Sequence, residues 1–181
     1  MPALSSARVF CEISSSSFSV YNPMSIYDVE LTMLDGSTKK FSEFKDHKVL
    51  VVNVASRCGL APQYEQLEKL QKEYGDKGFT VLGCPSNQFM QELKDSEKIA
   101  EYCSTTWGVT FPMTEKLKVN GRTRHELYQH LTKTKDKSGM AGPVMWNFEK
   151  FLVMPGGEEI HRFRPQTKPD SKEIVNLIES S

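Results

Sequence analysis

The 181-residue chain lacks a charge bias: 23 lysines and arginines stand against 23 aspartates and glutamates. That balance removes the electrostatic reason to expect nucleic acid or an anionic membrane surface as a partner. No apolar run approaches the roughly 20 residues that a membrane helix needs. The four cysteines, Cys11, Cys58, Cys84 and Cys103, form no CxxC pair, and the four histidines are scattered. A zinc ribbon or finger is therefore not expected, nor any other metal or cofactor. Four cysteines in a chain this long do not resemble the framework of a disulfide-stapled secreted domain. A reducing, cytoplasmic setting with individual roles for the thiols is the expectation. The length suits one domain with a core of its own, and no internal repeat is visible.

Residues 1–23 stand apart from the rest. Four serines run together at 14–17, Glu12 is the only acidic residue, and no period persists. We read this segment as a disordered or adventitious extension, with Met24 a candidate initiator where the domain pattern (24–181) begins. Its serine-rich, acid-poor composition also fits organelle targeting. Against that, Arg8 is its only arginine and it has no convincing secretory core with a cleavage site.

What the chain does have is an apolar, β-branched run at residues 48–55, suited to a strand buried on both faces. The run breaks at Cys58-Gly59, and a helical pattern follows over 62–74, with Pro62 in its first turn and Tyr64, Leu67, Leu70 and Tyr74 along one side. A cysteine is thus set at the carboxyl end of a central strand, ahead of a helix N-terminus. Unpaired N–H groups there favour an anion, so the thiol tends towards thiolate. Burial as an inert side chain is the commoner fate of a free cysteine, but this position beside a glycine favours the reactive reading.

Asp35-Gly36 between short runs at 26–34 and 38–41 predicts a hairpin. Gly75 and Gly78 close the first helix, and a strand at 79–83 completes a βαβ unit with parallel pairing. A helix is predicted over 96–106 with Ser96 as N-cap, and a short one over 125–132. A polar loop follows at 133–142. An alternating strand at 146–153 then turns at Pro155-Gly156-Gly157 into a second strand at 159–163. A final helix carries Ile174, Leu177 and Ile178 behind a cap at Asp170. This order describes an α/β protein with a mixed sheet and helices on both faces. A thioredoxin-like fold fits, although periodicity alone allows other α/β sandwiches.

A thiolate at Cys58 needs hydrogen-bond donors around it. Gln88, Trp146 and Asn147 supply amide and indole N–H groups at strand ends. Each alone has a plainer reading, Trp146 as packing and Asn87-Gln88 as a turn.

Asn53-Val54-Ala55-Ser56-Arg57-Cys58-Gly59 with Pro62-Gln63-Tyr64, then Pro85-Ser86-Asn87-Gln88-Phe89, then Trp146-Asn147-Phe148-Glu149-Lys150-Phe151-Leu152 resemble the three signature blocks of the glutathione peroxidase family, in order and spacing. The resemblance covers residues 26–180. It implies a thioredoxin fold with an N-terminal β-hairpin and a catalytic tetrad of Cys58, Gln88, Trp146 and Asn147. Cys103 sits where thioredoxin-dependent members of the family place a resolving cysteine. The family's usual cysteine in the second block is replaced by Ser86, with Cys84 two residues earlier, and Met90-Gln91-Glu92-Leu93 replaces a glycine-rich, proline-ended run. The loop before the third block is short, which implies a monomer or weak dimer.

The activity implied is reduction of hydrogen peroxide and organic hydroperoxides through a Cys58 sulfenic acid and a Cys58–Cys103 disulfide, recycled by thioredoxin or a related redoxin. Two alternatives use the same residues: a one-cysteine, glutathione-dependent peroxidase, and a redox sensor that passes its disulfide to a partner.

Overall fold

The computed structural model describes residues 24–180; the readings made for residues 1–23, Cys11 included, lie outside the described residues. The Asp35-Gly36 turn forms as predicted. Strands β1 (Glu30–Thr32) and β2 (Thr38–Lys40) pair antiparallel. Gly36 takes φ +82°, and Asp35 Oδ1 accepts both the N–H and the hydroxyl of Ser37. A single 3₁₀ turn, Ile26–Asp28, precedes β1 and shortens the expected strand.

The apolar run becomes β3 (Lys48–Val54), and β4 (Phe79–Pro85) lies parallel to it across α1 (Gln63–Tyr74). Helix α2 (Ser96–Trp107) and the short α3 (Glu126–Leu131) follow. Strand β5 (Lys150–Val153) then pairs antiparallel with β3 on its other side, β6 (Ile160–Phe163) pairs antiparallel with β5, and α4 (Lys172–Glu179) ends the chain. The order β4-β3-β5-β6 makes a mixed four-stranded sheet with β3 inside it.

Alternation along the strands sorts the core onto the two faces. Leu50, Val52, Val54 and Leu152 pack with Tyr64, Leu67 and Leu70 of α1, with Ile99 and Cys103 of α2 and with Ile174 of α4. Val49, Val51, Phe151 and Val153 pack with Leu127, Tyr128 and Leu131 of α3 and with Leu31 and Phe41 of the hairpin segment. Helices therefore cover both faces, as expected. Gly83 has a steric reason to be glycine: a Cβ there would come within 3.1 Å of Phe111 and Met113, whose segment hydrogen-bonds along β4.

Further boundaries also differ from the sequence reading. Residues 146–149 are not strand; β5 starts only at Lys150, because Phe148 adopts φ +63° and its N–H turns back to the Asn53 carbonyl. Asp95 rather than Ser96 is the N-cap of α2, and Ser171 rather than Asp170 that of α4. In neither does the capping side chain bond the first turn, so backbone geometry alone sets those ends.

Candidate active site

β3 and β4 run parallel and β5 antiparallel to them, so the ends of β3 and β4 and the start of β5 meet at one sheet edge. The loop with Cys58, the loop with Gln88 and the Trp146-Asn147 turn all leave that edge.

Cys58 lies in the turns between β3 and α1, five residues before the helix begins, and is 6% exposed. The N–H beside its sulfur is that of Leu60, 3.4 Å from Sγ, so a loop amide rather than the helix end provides the donor. Residues 91 and 92 clamp the loop: the Arg57 N–H donates to the Gln91 carbonyl at 2.8 Å, and the Ser56 N–H to Glu92 Oε1 at 3.1 Å.

Asn147 is fully buried, and its Nδ2 donates to Gln91 Oε1 at 2.9 Å, while its Oδ1 is left without a partner. Trp146 is 41% exposed and packs its ring on Phe89, centroids 5.1 Å apart. Gln88 is turned away. Its Oε1 accepts the N–H groups of Val119 and Asn120 at 2.6 and 2.7 Å, and its Nε2 donates to the Asn120 carbonyl at 3.1 Å. The fold thus gathers all four predicted residues at one edge. Among the described residues, however, none of the three donor side chains hydrogen-bonds the Cys58 sulfur.

Cys103 lies on α2 within the same core cluster as Cys58, and both are free thiols. Burial, more than any neighbour, pushes the Cys103 thiol up to about 11 and the Cys84 thiol up to about 12. Cys84 belongs to the opposite core, as an inert side chain would. A groove of about 400 Å³, lined by Gly59, Leu60, Pro62, Gln63, Gln166 and Lys168, opens beside the Cys58 loop. Among the described residues no cluster of three His, Cys, Asp or Glu side chains is arranged to hold a metal, and no helix is long and apolar enough to cross a membrane.

The family model Glutathione peroxidase matches residues 26–132. The glutathione peroxidase homolog BsaA of Halalkalibacterium halodurans is 47% identical over 148 residues, 81% of this chain and 93% of that protein. The thioredoxin/glutathione peroxidase BtuE of Escherichia coli is 44% identical over 165 residues, 80% of this chain and 90% of its own length. The chain belongs to the glutathione peroxidase family. It is a peroxidase of the thioredoxin-like fold. That fold is shared with a thiol:disulfide interchange protein from Chlorobium tepidum, which matches at TM-score 0.60 and 17% identity over 87% of this chain and 98% of that one.

In this member of the family, several hydrogen bonds that hold the site and its surroundings escaped the sequence reading. Asn53 Nδ2 donates to the Trp146 carbonyl, and Asn53 Oδ1 accepts the Glu149 N–H. Glu149 is itself buried against Arg162 and Arg164, and its Oε2 accepts the Met145 N–H. Lys150, fully buried, donates to the carbonyls of Pro165 and Thr167, and burial lowers its pKa to about 7. A polar residue inside an apolar strand was the available signal for Asn53 and Lys150. Gln91 and Glu92 lie in a loop whose pattern carries no such signal.

Proposed function

We propose that this peroxidase reduces hydrogen peroxide and organic hydroperoxides by a two-cysteine cycle, with Cys58 as the attacking thiolate and Cys103 as the resolving thiol. The Cys58 sulfur takes the distal oxygen as the O–O bond breaks; sulfur loses two electrons, and the alkoxide or hydroxide leaves with a proton as alcohol or water. Trp146 and Asn147 orient the peroxide and stabilise the charge that moves onto the leaving oxygen. Gln88 joins them when its amide gives up the residue 119–120 turn. Cys103 then displaces hydroxide from the sulfenic acid, forming the disulfide and water. A dithiol redoxin of the thioredoxin class reduces it by exchange. The enzyme acts as a monomer or weak dimer.

The observation that carries this reading is where Cys103 sits. It shares a core with Cys58 and lies on the last turns of α2, an end closed by Gly108 in the left-handed conformation. The exposed Ser104, Thr105 and Thr106 are weak helix formers, and the hydroxyls of Ser104 and Thr105 bond back to the Glu101 carbonyl, which loosens a helix. The Cys103 carbonyl accepts the Val109 N–H that ends the helix, so unwinding from this end breaks that bond at the outset and reaches Cys103 within about one turn. BtuE, a relative named for both reductants, supports a redoxin as electron donor.

Peroxide consumption by wild type and Cys103→Ser, with thioredoxin and glutathione systems side by side, tests the proposal. Turnover with thioredoxin should collapse in the variant while the first oxidation of Cys58 persists. Full thioredoxin turnover by the variant would leave the one-cysteine reading in its place.

A further inference from the structure

Of the three donors around Cys58, Asn147 is the one whose aim depends on a neighbour outside the cycle above. Gln88 spends its amide on the residue 119–120 turn, and Trp146 is partly exposed. Asn147 alone is fully buried. Its main chain is held from both sides by Asn53, whose carbonyl accepts the Phe148 N–H and whose Nδ2 donates to the Trp146 carbonyl. Among the described residues its side chain has one partner, Gln91, whose Oε1 accepts the Asn147 Nδ2 at 2.9 Å. The Asn147 Oδ1 has none.

The two ends of a carboxamide have nearly the same shape and opposite chemistry. Turned over, Asn147 would present a carbonyl oxygen where the site needs an N–H. That oxygen would repel both a thiolate and the charge arriving on the leaving oxygen. With the main chain fixed by Asn53, the acceptor on Gln91 decides between the two orientations. It takes one Nδ2 proton and leaves the second free to donate.

The loop around Gln91 is closed so as to hold it there. The Asn87 carbonyl accepts the Met90 N–H at 3.0 Å, and Asn87 Oδ1 accepts the Glu92 N–H at 3.1 Å. Between these bonds Met90 is held at φ +57°, a left-handed conformation uncommon for a residue with a side chain. Strain of this kind gathers at functional sites. Gln91 also reaches the nucleophile's loop, since its carbonyl accepts the N–H of Arg57, the residue before Cys58, at 2.8 Å. Through its main chain and its side chain, Gln91 therefore ties the Cys58 loop to the Asn147 donor.

We infer that Gln91 is a positioning residue of the peroxidatic step, aiming the Asn147 N–H and setting it against the Cys58 loop. Its effect passes through Asn147. This rests on the reading of Cys58 as nucleophile and Asn147 as donor.

The test follows oxidation of Cys58 by rapid-quench mass spectrometry of reduced protein mixed with hydrogen peroxide, with rates compared at equal thiolate fraction. Gln91→Met removes the acceptor, keeps the shape and leaves the main-chain carbonyl on Arg57. It should slow the oxidation at least about tenfold. Gln91→Glu keeps an oxygen that can only accept, which enforces the present aim, and should restore most of the lost rate. In an Asn147→Ala background, Gln91→Met should cost nothing further, as a residue acting through Asn147 requires. A merely structural role would give losses that add and that glutamate does not repair. Gln91→Met at the wild-type rate, Gln91→Glu as slow as Gln91→Met, or additive losses each overturn the inference. Should Gln91→Met not fold, Gln91→Ala carries the same cycle. Asn147→Ala oxidised at the wild-type rate would instead remove the reading on which the inference stands.

Discussion

The Asn53 amide group joins two strands' worth of active-edge backbone: its Nδ2 donates to the Trp146 carbonyl at 3.0 Å, and its Oδ1 accepts the Glu149 N–H at 3.0 Å. One buried residue of the central strand therefore sets the turn that carries Trp146 and Asn147. Asn53→Ala leaves the buried Glu149 N–H unpaired, at a cost of about 1–3 kcal/mol, and takes the donor from the half-buried Trp146 carbonyl. Thermal melting should show the loss of stability. Peroxide turnover should fall at least about tenfold in protein that is still folded, because a displaced donor weakens transition-state stabilisation. Wild-type turnover in a folded variant would show that other contacts hold the turn.

The buried Glu149–Arg162 pair, 2.6 Å apart, makes a second prediction. Arg162 also donates to the carbonyls of Thr134, Gly142 and Pro143. Removing it orphans three acceptors and leaves Glu149 with Arg164 as its one cation, beside the Met145 N–H on Oε2. Arg162→Met is expected to cost about 3–5 kcal/mol, as breaking a buried ion pair does, measured by urea denaturation. A loss below about 1 kcal/mol would mean that Arg164 takes over the whole of its role.

Alkali should destabilise the fold through its thiols. Burial raises Cys103 to about 11 and Cys84 to about 12 in the folded state, from an unfolded value of 9.0. Above pH 9 the unfolded chain loses protons that the folded one keeps, so stability declines as pH rises from 9 through 11 and is unaffected by these groups below 9. Cys84→Ala should flatten part of that decline in denaturation curves taken across pH 8–11. At pH 8, iodoacetamide should leave Cys84 unmodified in native protein; rapid labelling there would contradict its burial.

Much of this architecture was legible from periodicity. The buried run of β3, the βαβ crossover and the Asp35-Gly36 hairpin are local patterns with one dominant solution. The misplaced start of β5 shows where local reading stops. Residues 146–153 alternate as a strand would, but Asn53 draws the Phe148 N–H and the Glu149 N–H into a turn, and that contact spans more than 90 residues. The edge of the site was legible for a related reason: the ends of parallel strands must converge, whatever the side chains do. The orientation of Gln88 and the Gln91–Glu92 clamp were not, since loop hydrogen bonds depend on which segment tertiary packing brings alongside.

Helix α2 should change with redox state. Bringing Cys103 to Cys58 requires Cα atoms within about 7 Å, and Cys103 begins on a regular helix. Amides at residues 103–109 should exchange hydrogen faster in the oxidised protein than in the reduced one, while those of α1 stay slow in both. Equal protection of α2 in the two states would count against unwinding.

The central claim is that Cys58 and Cys103 form one redox pair, and mass spectrometry of the protein oxidised with one equivalent of hydrogen peroxide tests it directly. Non-reducing peptide analysis should recover a Cys58–Cys103 cross-link as the main product, with Cys84 still a free thiol. Recovery of Cys58 as a persistent sulfenic acid, or bridged to Cys84, would contradict the account.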